Sequence, residues 1–260
     1  MGIGIGIFIG INVVSVVILS VIFATTGLSG ELEDAGDTFD QAEVLLRWGG
    51  ERAKAIAENK ELPDPPAIWA DVDSLRLGFA ATLVMDALLI ATVGAVCQFA
   101  GWRELLKGFG MERFRPSSLK VTLAALVGLY AFVIVYSVLI DLADVSWLKP
   151  ESTIPSAVTR DALTASMAGV LACLAAPLAE ELFFRGLVFG GLVRWGFWPA
   201  AAASGAIFSA SHLDPGSFVP FIVVGMTLAW LYWRRSNLWD AILFHLLFNL
   251  ISFSLLMATS

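Results

Sequence analysis

Two carboxylates and an arginine stand close together inside the apolar stretch Pro177-Leu178-Ala179-Glu180-Glu181-Leu182-Phe183-Phe184-Arg185-Gly186. An ionisable side chain at bilayer depth costs about 2.5–3.5 kcal/mol on insertion scales, so a cluster of three calls for a function. On a helix Glu181 and Arg185 are four apart and share a face, whereas Glu180 is turned about 100° away. This spacing predicts a structural Glu181–Arg185 ion pair and leaves Glu180 to face a polar cavity. The chain has 2 histidines, and both fall in apolar segments: His212 ends Phe208-Ser209-Ala210-Ser211-His212, and His245 begins His245-Leu246-Leu247-Phe248-Asn249. Phe208 lies one helical turn before His212 and can wall one side of its ring, and His245 shares a face with Asn249. A carboxylate, two imidazoles and a carboxamide on three helical segments are what hydrolysis of an amide by water needs. The carboxylate accepts the water's proton and the donors steady the oxyanion. The bland alternative is that these groups only pair with one another to hold a bundle together. Asp86, in the second apolar segment, has no assigned role.

The elements that carry these residues are membrane helices. The 260-residue chain is 58% hydrophobic and 15% charged, with 18 Phe and 9 Trp, and its apolar runs are long enough to cross a bilayer several times. The expected fold is an all-α, polytopic membrane helix bundle of about seven spans, six to eight. Expected spans cover residues 3 to 24, 77 to 100, 121 to 142, 161 to 195, 199 to 212, 218 to 233 and 238 to 257. The fourth is too long for one straight crossing, so Pro177 and the glycines Gly186, Gly190 and Gly191 are candidate break points. The net charge of -7 arises largely from an acidic connector at residues 25 to 75, which argues against nucleic-acid binding. Within that connector one or two short helices, broken by Gly49-Gly50, would rest on the membrane or form a lid. Cys97 and Cys173 read as small buried apolar residues.

Between the second and third spans Arg103, Lys107, Arg113, Arg115 and Lys120 outnumber Glu104 and Glu112. The positive-inside rule places this loop in the cytoplasm, with Arg194, Arg234 and Arg235 on the same side. The N-terminus is then cytoplasmic, and the connectors at residues 25 to 75 and 143 to 160 lie outside. The chain is expected to be a multi-pass protein of the cell membrane.

Glu180-Glu181-x-x-x-Arg185, Phe208-x-x-x-His212 and His245-x-x-x-Asn249, in this order and in apolar surroundings, resemble the motifs of the CAAX-prenyl protease and bacteriocin-processing (CPBP) membrane protease family. The type II CAAX prenyl endopeptidase belongs to that family. The resemblance covers about residues 160 to 255. It divides the chain into N-terminal membrane helices with the acidic connector, residues 1–150, and a catalytic helical core, residues 151–260. The acidic connector has no counterpart in the family pattern.

The resemblance implies an intramembrane endopeptidase in which Glu180 activates water, His212 holds the water or helps its attack, and His245 with Asn249 forms the oxyanion site. Glu181 and Arg185 would maintain the geometry, and Phe208 would support His212. The implied substrate is a membrane-associated or hydrophobic peptide, or a lipidated protein of the prenylated CAAX type, met within the lipid bilayer. No cofactor is required on this reading. Zinc held by Glu180, His212 and His245 is the alternative. Against zinc, the spacing is not His-Glu-x-x-His, no carboxylate dedicated to orienting the imidazoles is evident, and Asn is a poor zinc ligand. A transporter or proton pathway would use the same buried acid and histidines, and a non-catalytic scaffold would use them only for packing. Upright helices pose one geometric conflict. From the cytoplasmic ends, Glu180 and His212 come out about 20 Å deep and His245 about 10 Å deep. A break near Pro177 or Gly186, a late start of the fifth span, or strong tilt would bring them together.

Overall fold

The computed structural model describes residues 38–64, 72–150, 154–212 and 214–259. All regular elements among them are helical. They are α1 (Thr38–Ala57), α2 (Val72–Val96), α3 (Trp102–Gly108), α4 (Ser118–Ala143), α5 (Ala162–Trp195), α6 (Phe197–Ser211), α7 (Phe218–Arg235) and α8 (Leu238–Thr259). Short 3₁₀ turns at Ser146–Leu148 and Ser156–Arg160 carry the chain from α4 to α5. Four helices, α2 from Leu75 onward, α4, α5 and α8, are long and apolar enough to cross a membrane. The protein is therefore a membrane protein. Of the seven spans expected, α6 and α7 are helical but do not meet both criteria, and the first, at residues 3 to 24, lies outside the described residues. Val127 and Leu142 on α4 are 72% and 79% exposed, and Ile134, Val138 and Leu139 join them in an apolar outer surface. Lipid, as apolar as these side chains, is the environment in which that surface costs nothing.

α5 is one continuous helix, but its winding changes twice. It is π-helical over Leu171–Ala175 and again over Glu181–Phe189, with a short α-helical segment, Ala176–Glu180, between. Proline has no N–H to return to the preceding turn and its ring crowds the carbonyl four residues back, here that of Cys173. A wider turn at Leu171–Ala175 relieves that conflict, so the helix passes through Pro177 without the expected break. It passes through Gly186 as well, where the ring of Phe109 fills the space a Cβ would need, 2.8 Å away. The start of α5 is capped by Asp161, whose carboxylate accepts from the Thr164 N–H at 2.7 Å and from Arg76 at 2.8 Å. The Thr164 backbone bond and then Arg76 hold the Asp161 carboxyl below the ordinary carboxylate range.

α6 and α7 form a close hairpin. A Cβ on Gly225 would stand 2.6 Å from the Cα of Gly205, and a Cβ on Gly205 would stand 2.9 Å from the Ile222 carbonyl oxygen. Small residues let two backbones approach this closely, and in lipid that packing supplies much of the association energy. In the acidic connector α1 runs unbroken through Gly49-Gly50, contrary to expectation. Neither glycine has an atom within 4 Å of the Cβ position, so nothing forces a turn there. Just after α1, the Asn59 side chain donates to the Asp144 carbonyl at 2.9 Å and ties the connector to the end of α4.

The structure has two distinct ends. At one, the α2–α4 loop meets the α7–α8 turn: Leu238 N–H donates to the Phe109 carbonyl at 3.1 Å, and the Trp239 indole donates to Met111 at 2.8 Å. Arg235 donates to Ser117 at 2.9 Å, and Ser118 hydrogen bonds buried Asp240. At the other end, Lys149 pairs with Asp141 at 2.9 Å, and the Gly216 backbone rests against the Lys149 carbonyl. The loops expected to share a side are thus in contact with one another.

Gly225→Ala should lower the melting temperature in detergent, because overpacking of a backbone contact costs about 1–3 kcal/mol. Gly128→Ala on α4, with no atom within 4 Å of the Cβ position, should leave it unchanged or raise it. Equal effects at the two positions would contradict the close hairpin.

Candidate active site

Glu180 ends the short α segment of α5, and Glu181 begins the second π-helical stretch. Glu181 and Arg185 are wholly buried, and Arg185 Nη1 donates to Glu181 Oε1 at 2.8 Å. Arg185 also lies over the Phe208 ring at 4.4 Å, and its Nη2 reaches the Gly225 carbonyl at 3.4 Å. One charge and several partners therefore tie α5 to α6 and α7. The same Glu181 Oε1 lies 2.8 Å from His245 Nδ1 on α8. This contact supplies what sequence reasoning found missing, a carboxylate dedicated to orienting an imidazole. Residues 181 and 245 are far apart in the chain, and no local spacing signals such a contact.

The direction of each ring follows from its partner. Glu181, paired with Arg185, is a carboxylate, so His245 Nδ1 carries a proton and donates to it. His245 Nε2 then points to Glu180, whose Oε2 is 3.9 Å away. His212 Nδ1 lies 2.8 Å from the Phe208 carbonyl oxygen. A carbonyl only accepts, so Nδ1 bears the hydrogen there too, and in the neutral ring Nε2 is left with its lone pair. The His212 ring packs 4.7 Å from Phe208 and 4.6 Å from Phe221, centroid to centroid. Phe208 also meets the edge of His245 at 5.8 Å, so one aromatic ring spaces both imidazoles.

Asn249, one turn beyond His245, donates to the Ala172 carbonyl at 2.7 Å. Ala172 lies in the first π stretch, five residues before Pro177, where proline supplies no N–H to take that oxygen. The sequence feature that disturbs the helix thus creates the acceptor that holds Asn249. Ser204 on α6 likewise donates to the Phe184 carbonyl, in the second π stretch, at 2.9 Å. Stretches of π winding are frequent at functional sites, and here they hand backbone oxygens to side chains of neighbouring helices.

Glu180, His212, His245, Asn249 and Phe208 all line one cavity of about 530 Å³. The conflict in depth is therefore removed by the fold itself. Glu180 is 21% exposed, and its Oε2 has no hydrogen-bond partner in the protein. Asp86 on α2, which sequence reasoning left without a role, is buried, has no protein partner for Oδ2, and interacts electrostatically with Glu180. Among the described residues no three His, Cys, Asp or Glu side chains converge closely enough to hold a metal ion. Tetrahedral zinc ligands at about 2.0–2.1 Å from the metal would stand closer together than the Glu180 and His245 atoms do. As placed, Glu180 and His245 are therefore not drawn together as a zinc-ligand pair.

A membrane-embedded helical core with a carboxylate and two oriented imidazoles around one cavity is the class of protein this geometry defines. Residues 162–251 match the family model described as type II CAAX prenyl endopeptidase Rce1-like. The chain is also 32% identical over 81 residues to a protein of Bacillus subtilis (strain 168) named "Putative membrane peptidase YdiL"; the match covers 31% of this chain and 33% of that relative. The chain thus spans about a third of the length of the curated relative it matches. No solved structure matches it.

Removing one partner of a buried pair leaves the other charge uncompensated, at a cost of about 3–5 kcal/mol. Arg185→Ala should therefore lower thermal stability in detergent severely, whereas Arg47→Ala, at an exposed site on α1, should not. A wild-type melting curve for Arg185→Ala would show that the pair does not hold the site together.

Proposed function

We propose that the chain is a membrane-embedded endopeptidase that hydrolyses a peptide bond of a hydrophobic or membrane-associated substrate with water activated by Glu180. The observation that carries this reading is the convergence of Glu180, His212, His245 and Asn249 on one cavity inside a segment of the type II CAAX prenyl endopeptidase family. Glu180 Oε2, without a protein partner, takes a proton from water, and the hydroxide oxygen bonds to the scissile carbonyl carbon. His212 Nε2, an acceptor because Nδ1 is committed to Phe208, holds the water's other hydrogen and aims the oxygen. The carbonyl oxygen becomes an oxyanion. It is received by the second N–H of the Asn249 amide and by Nε2 of His245 when that ring carries a proton on both nitrogens. Glu180 and Glu181 stand one at each nitrogen of that ring, and Glu181 also faces Arg185. The carbon–nitrogen bond then breaks, and Glu180 returns its proton to the leaving amine. No step draws on a metal ion.

Apolar residues dominate the rest of the cavity wall, among them Phe79, Tyr130, Phe221, Phe248 and Phe253. They suit a hydrophobic segment. Excluding water from this wall strengthens the interaction of the developing oxyanion with its donors.

Glu180→Gln keeps the shape of the side chain but removes the base, and hydrolysis of a quenched-fluorescent peptide library should fall by about 10²–10⁴-fold or beyond detection. The melting temperature should change little, and a zinc chelator should leave wild-type cleavage intact. Undiminished cleavage by Glu180→Gln would remove Glu180 from the mechanism, and loss of cleavage with the chelator would restore the zinc alternative.

A further inference from the structure

The cavity is not symmetric between the two ends of the bundle. Among the described residues its wall runs from Glu180 and His245 along Asn249, Ser252, Leu256 and Thr259 on α8. Ser217 at the start of α7, Pro150 and Ile154 in the connector, and Phe79 near the start of α2 complete the wall at the same end. This is the end where Lys149 pairs with Asp141 and where Gly216 rests on Lys149. Toward the opposite end the way is filled by buried Phe184, Phe189, Phe109, Leu192 and Leu231, with the Glu181–Arg185 pair among them. Beyond that plug lie Arg103, Lys107, Arg113, Arg115, Arg194, Arg234 and Arg235.

The asymmetry of charge fixes the side. Short loops rich in Lys and Arg stay in the cytoplasm, and here they sit together at the plugged end. We propose that the cavity opens on the extracytoplasmic face of the membrane, and that its substrate is an apolar peptide segment presented from that side, such as the membrane-proximal stretch of an exported chain. A lipidated tail tethered to the cytoplasmic leaflet would approach the closed end. The substrate class rests on the peptidase reading of the site, whereas the side of the opening does not.

The test separates the two. Cys97 and Cys173, the chain's 2 cysteines, are replaced by serine, and single cysteines are introduced by Lys149→Cys at the open end, Ser252→Cys in the cavity wall and Lys107→Cys at the basic end. Spheroplasts of a bacterial host are treated with a small membrane-impermeant methanethiosulfonate before or after permeabilisation. Lys149→Cys and Ser252→Cys should react in intact spheroplasts, and Lys107→Cys only after permeabilisation. Reaction of Ser252→Cys only after permeabilisation, or not at all, would overturn the proposal. In parallel, an apolar quenched peptide made membrane-impermeant by a sulfonated fluorophore is offered to detergent-solubilised protein, to right-side-out vesicles and to inside-out vesicles. Cleavage in detergent and in right-side-out vesicles is expected. Cleavage in detergent and only in inside-out vesicles would overturn the proposal, and no cleavage in detergent would sink the peptidase reading while the labelling still decides the side.

Discussion

The buried carboxylate of Glu181 is the constraint on which the site depends. In an apolar interior it must find a counter-charge, and Arg185, one turn on, supplies it from the same helix. The same oxygen also receives His245 from α8, so one acceptor sets the orientation of an imidazole on another helix. Arg185 in turn spreads over Phe208 and reaches the Gly225 carbonyl. Four helices therefore answer to one ion pair, and removing its charge from either side would disturb all of them. A buried pair is weak evidence of net stability, but removing one partner leaves the other charge uncompensated.

The second constraint is the proline one turn before Glu180. A helix that continues through Pro177 has to give up a backbone bond, and it does so by widening into π winding just before. The carbonyl of Ala172 is thereby available to Asn249, and the α segment that follows is only long enough to carry Ala176–Glu180 before the winding widens again. In a membrane an unmade backbone bond is especially costly, since no bulk water is at hand to replace it. Asn249, which takes up that carbonyl, is thereby held in place at the cavity.

Enclosure gives the polar groups their chemical strength. A general base, an acceptor for water and donors for an oxyanion act weakly when water competes for them, and strongly within an apolar wall. Here Phe208 does two jobs, since it separates the two imidazoles and covers the Arg185 guanidinium. Phe109, Phe184 and Phe189 belong to the buried core toward the basic end.

The helical class, the membrane location, the boundaries of α4 to α8 and the pairing of Glu181 with Arg185 were all legible in the sequence. Each follows from composition, apolar run length or a four-residue spacing, and such signals are local. The unbroken α1 across Gly49-Gly50 and the passage of α5 through Pro177 were not, because glycine and proline only weaken a helix, and contacts elsewhere decide whether it ends. The apparent mismatch in depth between Glu180 and His245 came from assuming uniform α winding on upright helices. The orientation of His245 by Glu181, the capture of Asn249 by Ala172 and the gathering of these groups with His212 on one cavity joined residues many tens of positions apart. The sequence by itself determined which helices form and which polar residues they carry into the membrane, since both rest on neighbours within a turn or two. Only the tertiary structure decided which of those residues meet, because helix packing and winding, unlike periodicity, bring distant parts of the chain to the same few ångströms.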